Sequence, residues 1–198
     1  GRYRIEQQLG RGAMATVYRA SDEQLGRPVA LKLLTLGDDW PADRLDEAEV
    51  RLRREAEAAA RIQHPDIVEV YEAGAHEGRV YLAMEYVEGV SLDAHTYPGR
   101  LLPPRMACEM CARVAEALHF AHQRGVVHRD IKPANIVFDQ ERRRVRIMDF
   151  GVARLADSCA TRTGIVLGSP SYMAPEQLDA RPVTGRSDLF SLGVTLFQ

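Results

Sequence analysis

The segment His128-Arg129-Asp130-Ile131-Lys132-Pro133-Ala134-Asn135 constrains this chain more than any other. It sets a carboxylate, an ammonium group and a carboxamide at short fixed spacing on one loop. Those three groups supply a proton acceptor, a cation for a phosphoryl oxygen and a neutral oxygen ligand for a metal. Fourteen residues after Asn135 comes Asp149-Phe150-Gly151. An acid followed by an apolar residue and a glycine suits a metal-binding carboxylate on a hinged loop.

The rest of the 198 residues divides by pattern. Tyr3 to Leu9, Ala15 to Ala20 and Pro28 to Leu34 are short β-favouring runs separated by glycine-containing turns. From Ala42 to Gln63 the period changes, with Leu45, Leu52, Ala56 and Ala59 on one helical face, and Pro65 ends the helix. Ile67 to Tyr71 and Arg79 to Val87 again read as strands. The character changes at Glu88-Gly89. Pro104 to Arg124 is helical, with Met110, Val114, Leu118 and Ala121 on one face and Gly125 as its C-cap. Val126 to Asp149 predicts loops and short strands, Thr161 to Pro175 a long irregular loop, and Ser187 to Gln198 an apolar helix. The pattern predicts a strand-rich lobe over Gly1–Val87 and a helical lobe over Glu88–Gln198.

Composition removes several functions. Lys and Arg number 26 against 28 Asp and Glu, a net charge of −2, so no basic field exists to coat nucleic acid. No apolar run approaches the ~18 residues of a membrane span. GRYRIEQQLG lacks the apolar stretch of a signal peptide. Three cysteines argue for a reducing compartment, which predicts the cytoplasm. Cys108 and Cys111 form a CxxC inside an amphipathic helix with no second ligand pair nearby, which favours ordinary thiols over zinc. Arg142-Arg143-Arg144 reads as a solvated turn, and His119 and His122 have no partner visible in the sequence.

Three further segments are ambiguous alone. Gly10-Arg11-Gly12-Ala13-Met14-Ala15-Thr16-Val17 lies between two strand candidates, as a phosphate-approaching hairpin or a plain β-turn. Lys32 sits within an apolar strand, where it needs a partner unless the strand is an edge open to solvent. Glu55 is a candidate partner or one more solvated helix charge.

In order along the chain, these elements and Ala174-Pro175-Glu176 resemble the protein-kinase family, specifically the Ser/Thr kinases found in bacteria. The resemblance implies an α+β, two-lobed fold. Residues 1–87 would form an antiparallel β-sheet lobe with one helix, and residues 88–198 a mainly helical but incomplete lobe. It implies transfer of the ATP γ-phosphoryl group to a Ser or Thr hydroxyl of a protein, with Mg²⁺. Lys32, paired with Glu55, would hold the α- and β-phosphates. Gly10 and Gly12 would lie over the phosphates. Asp130 would accept or orient the substrate hydroxyl's proton, Lys132 would neutralise the transferring group, and Asn135 and Asp149 would hold metal. Glu85 and Val87, in Met84-Glu85-Tyr86-Val87, would pair with adenine through their backbone, and Leu9, Val17, Ala30 and Val137 would wall it.

Arg129 beside Asp130 resembles kinases controlled by phosphorylation of the loop that here contains Thr161 and Thr163, with a second copy of the kinase as the autophosphorylation partner. The chain departs from the family pattern in places. Ala15 replaces the third glycine, and Ser169 stands where a threonine is usual, its hydroxyl still able to bridge Asp130 and Lys132. Asp188 resembles the residue that braces the His-Arg-Asp backbone. The arginine that usually pairs with Glu176 comes from a later helix, and Leu189, Leu192, Val194 and Phe197 are expected to be exposed. The expected reading is a cytoplasmic kinase, either by itself or as the cytoplasmic part of a longer, membrane-anchored protein. The alternative is a truncated or pseudokinase-like nucleotide-binding module without transfer activity. Lys32, Asp130, Asn135 and Asp149, all present, favour the enzyme.

Overall fold

The computed structural model describes residues 1–12, 15–34, 50, 60–76, 79–150 and 170–198. The helix expected over residues 42–63 falls largely outside them, with Glu55; so do Cys159, Thr161, Thr163 and Ser169. The chain forms two compact units, residues 1–61 with 69–87, and residues 62–68 with 88–198.

The first unit is a five-stranded antiparallel sheet of β1 (Tyr3–Arg11), β2 (Ala15–Asp22), β3 (Arg27–Leu34), β4 (Val70–His76) and β5 (Arg79–Glu85), in the order β1-β2-β3-β5-β4. Side chains alternate across a strand, so residues directly opposite each other share a face. Ala20 pairs with Val29, and Leu31 with Ala83, and these four form a buried cluster under Tyr3, Leu33, Tyr71 and Tyr81. Lys32 pairs with Val17 on one side and Leu82 on the other, which puts it on the opposite face together with Ala30. Lys32 therefore lies on a central strand, which removes the edge-strand reading.

Asp22, fully buried, closes this unit at its turn. Its carboxylate accepts Arg2 Nη2 at 2.7 Å and the backbone N–H groups of Gln24 at 3.0 Å and Leu25 at 3.2 Å. The hydrogen bond from Arg2 pulls its pKa down to about 2. A folded-state pKa below the ordinary ~3.9 stabilises the fold above that value, and the gain is lost as pH falls from about 4 to about 2. Thermal melts across that window are expected to show a falling Tm. Asp22→Asn is expected to lower Tm near neutrality and to flatten the acid limb; an unchanged limb would remove Asp22 as its cause.

The second unit is built on α1 (Pro104–His122). Met110, Val114, Leu118 and Ala121 are buried along it as expected, with Ala117 added. Gly125, at φ +75°, ends it: its N–H donates to the His122 carbonyl at 2.9 Å and that of Val126 to Ala121 at 3.1 Å. This paired arrangement needs the left-handed conformation that glycine adopts without strain. A three-stranded sheet, β6 (Val90–Ser91), β7 (Ile136–Asp139) and β8 (Arg144–Ile147), lies in the same unit. Short α2 (Pro175–Leu178) precedes α3 (Gly185–Phe197), whose N-cap Thr184 accepts the Arg186 N–H at 3.4 Å.

Two expectations change here. The strand predicted at Ile67 starts only at Val70, because Ile67 and Val68 are buried in the second unit, where Val68 N–H donates to Ile147 at 2.9 Å. Asp66 fastens the same stretch, accepting Arg113 Nε at 3.1 Å. Leu192 is buried, 7% exposed, because it turns inward on α3; Leu189 and Phe197 are exposed at 49% and 93%. The triple arginine is exposed as expected, with Arg142 and Arg143 in the turn and Arg144 opening β8; Arg142 pairs with Asp139 at 3.0 Å and Arg143 with Glu109 at 2.5 Å.

Candidate active site

In the first unit the β1–β2 hairpin is closed by Gly12 N–H donating to Ala15 at 2.8 Å, and Gly10 pairs with Val17. Two glycines at this tip keep its backbone amides unobstructed by side chains. Leu9 is 44% exposed on β1, and Ala30 is buried on β3. Glu85 ends β5 and donates its N–H to Glu69 at 2.9 Å; Val87 follows two residues on.

In the second unit hydrogen bonds from three sides hold the catalytic-type residues, from Asp188, Met148 and Gln177. His128 is fully buried. Its Nδ1 accepts the Asp130 N–H at 3.2 Å, so Nε2 carries the proton and donates to the Met148 carbonyl at 2.7 Å. Its ring meets Phe150 edge-on, 4.6 Å between centroids. Arg129 adopts φ +71° and Asp149 φ +63°, a region that non-glycine residues enter only when surroundings enforce it. Enforcement is visible at Arg129. Its N–H donates to Asp188 Oδ1 at 2.7 Å and its carbonyl accepts Gln177 Nε2 at 2.8 Å. Asp188, 1% exposed, also accepts the His128 N–H on Oδ2 at 2.8 Å. Glu176 accepts from Ser187 Oγ, which holds its carboxyl below the usual range.

Asp130 Oδ2 is the meeting point. Lys132 Nζ lies 2.8 Å from it, and Asn135 Nδ2 donates to it at 2.9 Å and to the Asp130 carbonyl at 2.7 Å. Pro133 to Asn135 form one 3₁₀ turn, which swings Asn135 back toward Asp130. Asn135 in turn accepts the Met148 N–H at 2.9 Å. Met148 is thus held at both backbone groups, and Asp149 follows it directly. A carboxylate, a cation, an amide oxygen and a second carboxylate are collected on two loops, the donor set for activating a hydroxyl next to a metal-bound phosphate.

Residues 3–198 match the protein kinase domain family. The chain belongs to the protein kinase family. It is 43% identical to the probable serine/threonine-protein kinase SCO3848 of Streptomyces coelicolor, over all of this chain and 30% of that protein. It is 40% identical to the serine/threonine-protein kinase PrkC of Bacillus subtilis, again over all of this chain and 30% of the relative. The fold superposes on the crystal structure of the Mycobacterium tuberculosis PknI kinase domain with a TM-score of 0.77 at 34% identity, covering 99% of this chain and 73% of that domain. The chain therefore spans about a third of the length of these curated relatives.

Within this kinase-family chain, Asp130, Lys132 and Asn135 touch directly, and Asp149 is linked to them through Met148. Val17, Ala30 and Lys32 share one face of the first unit's sheet. Val137 is buried in β7. His122, whose partner is not visible in the sequence, binds Asp188 Oδ2 through Nε2 at 2.7 Å, and His119 meets Gln123 at 2.9 Å. Sequence reading also missed Gln177 and the Met148 backbone. No local pattern marks them, since Met148 accepts from His128, 20 residues away, and Gln177 donates to Arg129, 48 residues away.

Proposed function

We propose that this chain is the catalytic part of a Ser/Thr protein kinase that transfers the γ-phosphoryl group of ATP to a protein hydroxyl. The observation that carries this reading is the contact of Asp130 with both Lys132 and Asn135. The hydroxyl oxygen of the substrate forms the new bond to the γ-phosphorus, the bond from that phosphorus to the β,γ-bridging oxygen breaks, and ADP leaves. Asp130 orients the hydroxyl and takes its proton. Lys132 compensates charge on the transferring group. Lys32 holds the α- and β-phosphates with Glu55 as its partner, beneath Gly10 and Gly12. The Glu85 and Val87 backbone and the side chains of Leu9, Val17, Ala30 and Val137 bind the adenine.

Asn135 and Asp149 fit a magnesium ion. Asn135 spends its Nδ2 on Asp130, which leaves Oδ1 as an oxygen donor, and Asp149 adds a carboxylate; a hard cation takes such ligands. When bound, Mg²⁺ neutralises phosphate charge. The kinase works in the cytoplasm, where ATP is supplied, and a second copy of the chain is its first protein substrate, phosphorylated at Thr161 or Thr163. A phosphate there pairs with Arg129.

Incubation with labelled ATP and Mg²⁺, followed by mass spectrometry, is expected to find phosphate on one or both threonines. Thr161→Ala/Thr163→Ala is expected to slow transfer to other substrates several-fold. Absence of any transfer to protein would overturn the kinase reading. Phosphate found only elsewhere, with the double variant fully active, would overturn the loop reading alone.

A further inference from the structure

Apart from the reacting groups, the second unit carries an open cleft of about 520 Å³. Val90, Ala94 and Phe138 supply its apolar lining. His95 and Arg100 line it from the segment after β6, and Asp139 and Glu141 from the turn between β7 and β8. Resting on the kinase reading, we propose that this cleft docks an extended segment of the protein substrate, one that carries an apolar side chain between an acidic and a basic residue.

Both lining segments are fixed by their own hydrogen bonds, so docking spends little on ordering them. Tyr97 to Arg100 follow the type II turn pattern, with Pro98 second, Gly99 third at φ +82°, and the Arg100 N–H donating to the Tyr97 carbonyl at 3.0 Å. His95 Nδ1 donates to the Arg100 carbonyl at 3.0 Å, which makes Nε2 of the neutral ring an acceptor. In the other turn, Asp139 accepts the Arg142 N–H and Arg142 Nη1, both at 3.0 Å. Those bonds hold its carboxyl below the usual range and spend its charge within the turn.

The lining selects the occupant. Arg100 and Glu141 are exposed, and neither lies in an ion pair among the described residues, so one unspent cation and one unspent anion stand on different turns with apolar surface between them. An acid pairs with the first and a base with the second. Val90, Tyr97 and Leu101, each more than half exposed, extend the apolar surface past the cleft. A small molecule normally loses most of its surface to an enclosing site, which an open cleft does not provide; a chain segment can run on over these exposed residues. An extended segment also brings unmet backbone groups, for which Arg100 offers donors and His95 Nε2 an acceptor. The cleft is one strand away from the reacting groups: β7 begins directly after Asn135 and ends at Asp139, about 13 Å along the strand. A segment held there keeps the rest of its chain concentrated near Asp130.

Two fluorescein-labelled peptides, Gly-Glu-Ala-Leu-Ala-Lys-Gly and the same peptide with its Glu and Lys exchanged, probe both chain directions by fluorescence anisotropy. One of them is expected to bind saturably. Replacing its leucine by serine, or Val90→Asp in the kinase, is expected to weaken binding about tenfold or more, the scale of burying one leucine side chain. Arg100→Glu is expected to weaken it several-fold and to be rescued by a peptide whose acid is lysine. Glu141→Lys is expected to be rescued by a peptide whose base is glutamate. Saturable binding by neither peptide, an unchanged affinity in Val90→Asp, or the lack of any charge-swap rescue would overturn the docking site.

The substrate role has its own readout. The binding peptide, joined through a linker of about ten Gly and Ser residues to a serine-containing substrate peptide, is expected to lower KM about tenfold with kcat within twofold. Val90→Asp is expected to abolish that gain and to leave transfer to the unjoined substrate unchanged. Binding without any gain in KM would overturn the assignment to substrate. A wild-type chain that transfers no phosphate would defeat the kinase reading, and the anisotropy titrations would still decide whether the cleft docks such a segment.

Discussion

Asp130→Asn is expected to lower the rate of phosphoryl transfer by about a hundredfold to ten-thousandfold while ATP binds as before. That is the range associated with loss of a positioned proton acceptor. The substitution isolates that role because the shape is kept. Asp130 Oδ2 accepts from Lys132 at 2.8 Å and Asn135 at 2.9 Å. An asparagine oxygen at the same place still accepts from both donors. The backbone bonds of the loop, from His128 and Arg129 to Asp188 and from Asp130 to His128, do not involve the changed group. The melting temperature should therefore stay within a few degrees of wild type. What the carboxamide cannot do is take a proton, or offer a negative charge to the hydroxyl. Single-turnover transfer at saturating ATP, beside an equilibrium titration with nucleotide, measures the two quantities separately. Transfer within threefold of wild type would remove Asp130 from the chemistry.

Asp149→Asn is the second large effect. Asparagine is among the few residues that tolerate the left-handed region, so the φ of +63° at this position can be kept. The loop then stays in place while a charged oxygen becomes a neutral one. A hard divalent cation loses its strongest ligand at this site. The Mg²⁺ concentration giving half-maximal transfer is expected to rise at least tenfold, and the rate at cellular Mg²⁺ to fall by about a hundredfold or more. Asn135→Ala is expected to act in the same direction, with an added loss because it also removes two bonds to Asp130. A magnesium titration of the purified variants reads both. Activity that persists in excess chelator would rule out the proposed pair of ligands.

Much of this chemistry was legible before any fold was known because its groups are close in sequence. Asp130, Lys132 and Asn135 lie within six residues, and their contact needs only a loop and one 3₁₀ turn. The helix at Pro104–His122 was legible for a similar reason. Its buried residues recur at the spacing of one helical face, and Gly125 supplies a left-handed terminus. The β-favouring apolar run Pro28 to Leu34 marked a strand, but not whether it was an edge; the register with Leu82 and Val17 made that decision.

The sequence by itself determined the residue types at the reacting centre, the order of strands and helices, and membership of the kinase family through motifs in register. Tertiary structure alone decided which buried polar groups satisfy one another. His122 looked partnerless because its acceptor, Asp188, is sixty-six residues away and reaches it only when α1 and α3 pack. Ile67 to Tyr71 read as a strand, yet Ile67 and Val68 are covered by the second unit, where the Val68 N–H donates to the Ile147 carbonyl and the Ile147 N–H donates to the Asp66 carbonyl. Leu192 was expected at the surface and is buried. The physical reason is common to all three. Periodicity along a chain reports which face a side chain occupies, because that follows from backbone geometry. What covers that face is set by long-range packing and by the need to pair buried donors with acceptors, and neither leaves a local trace.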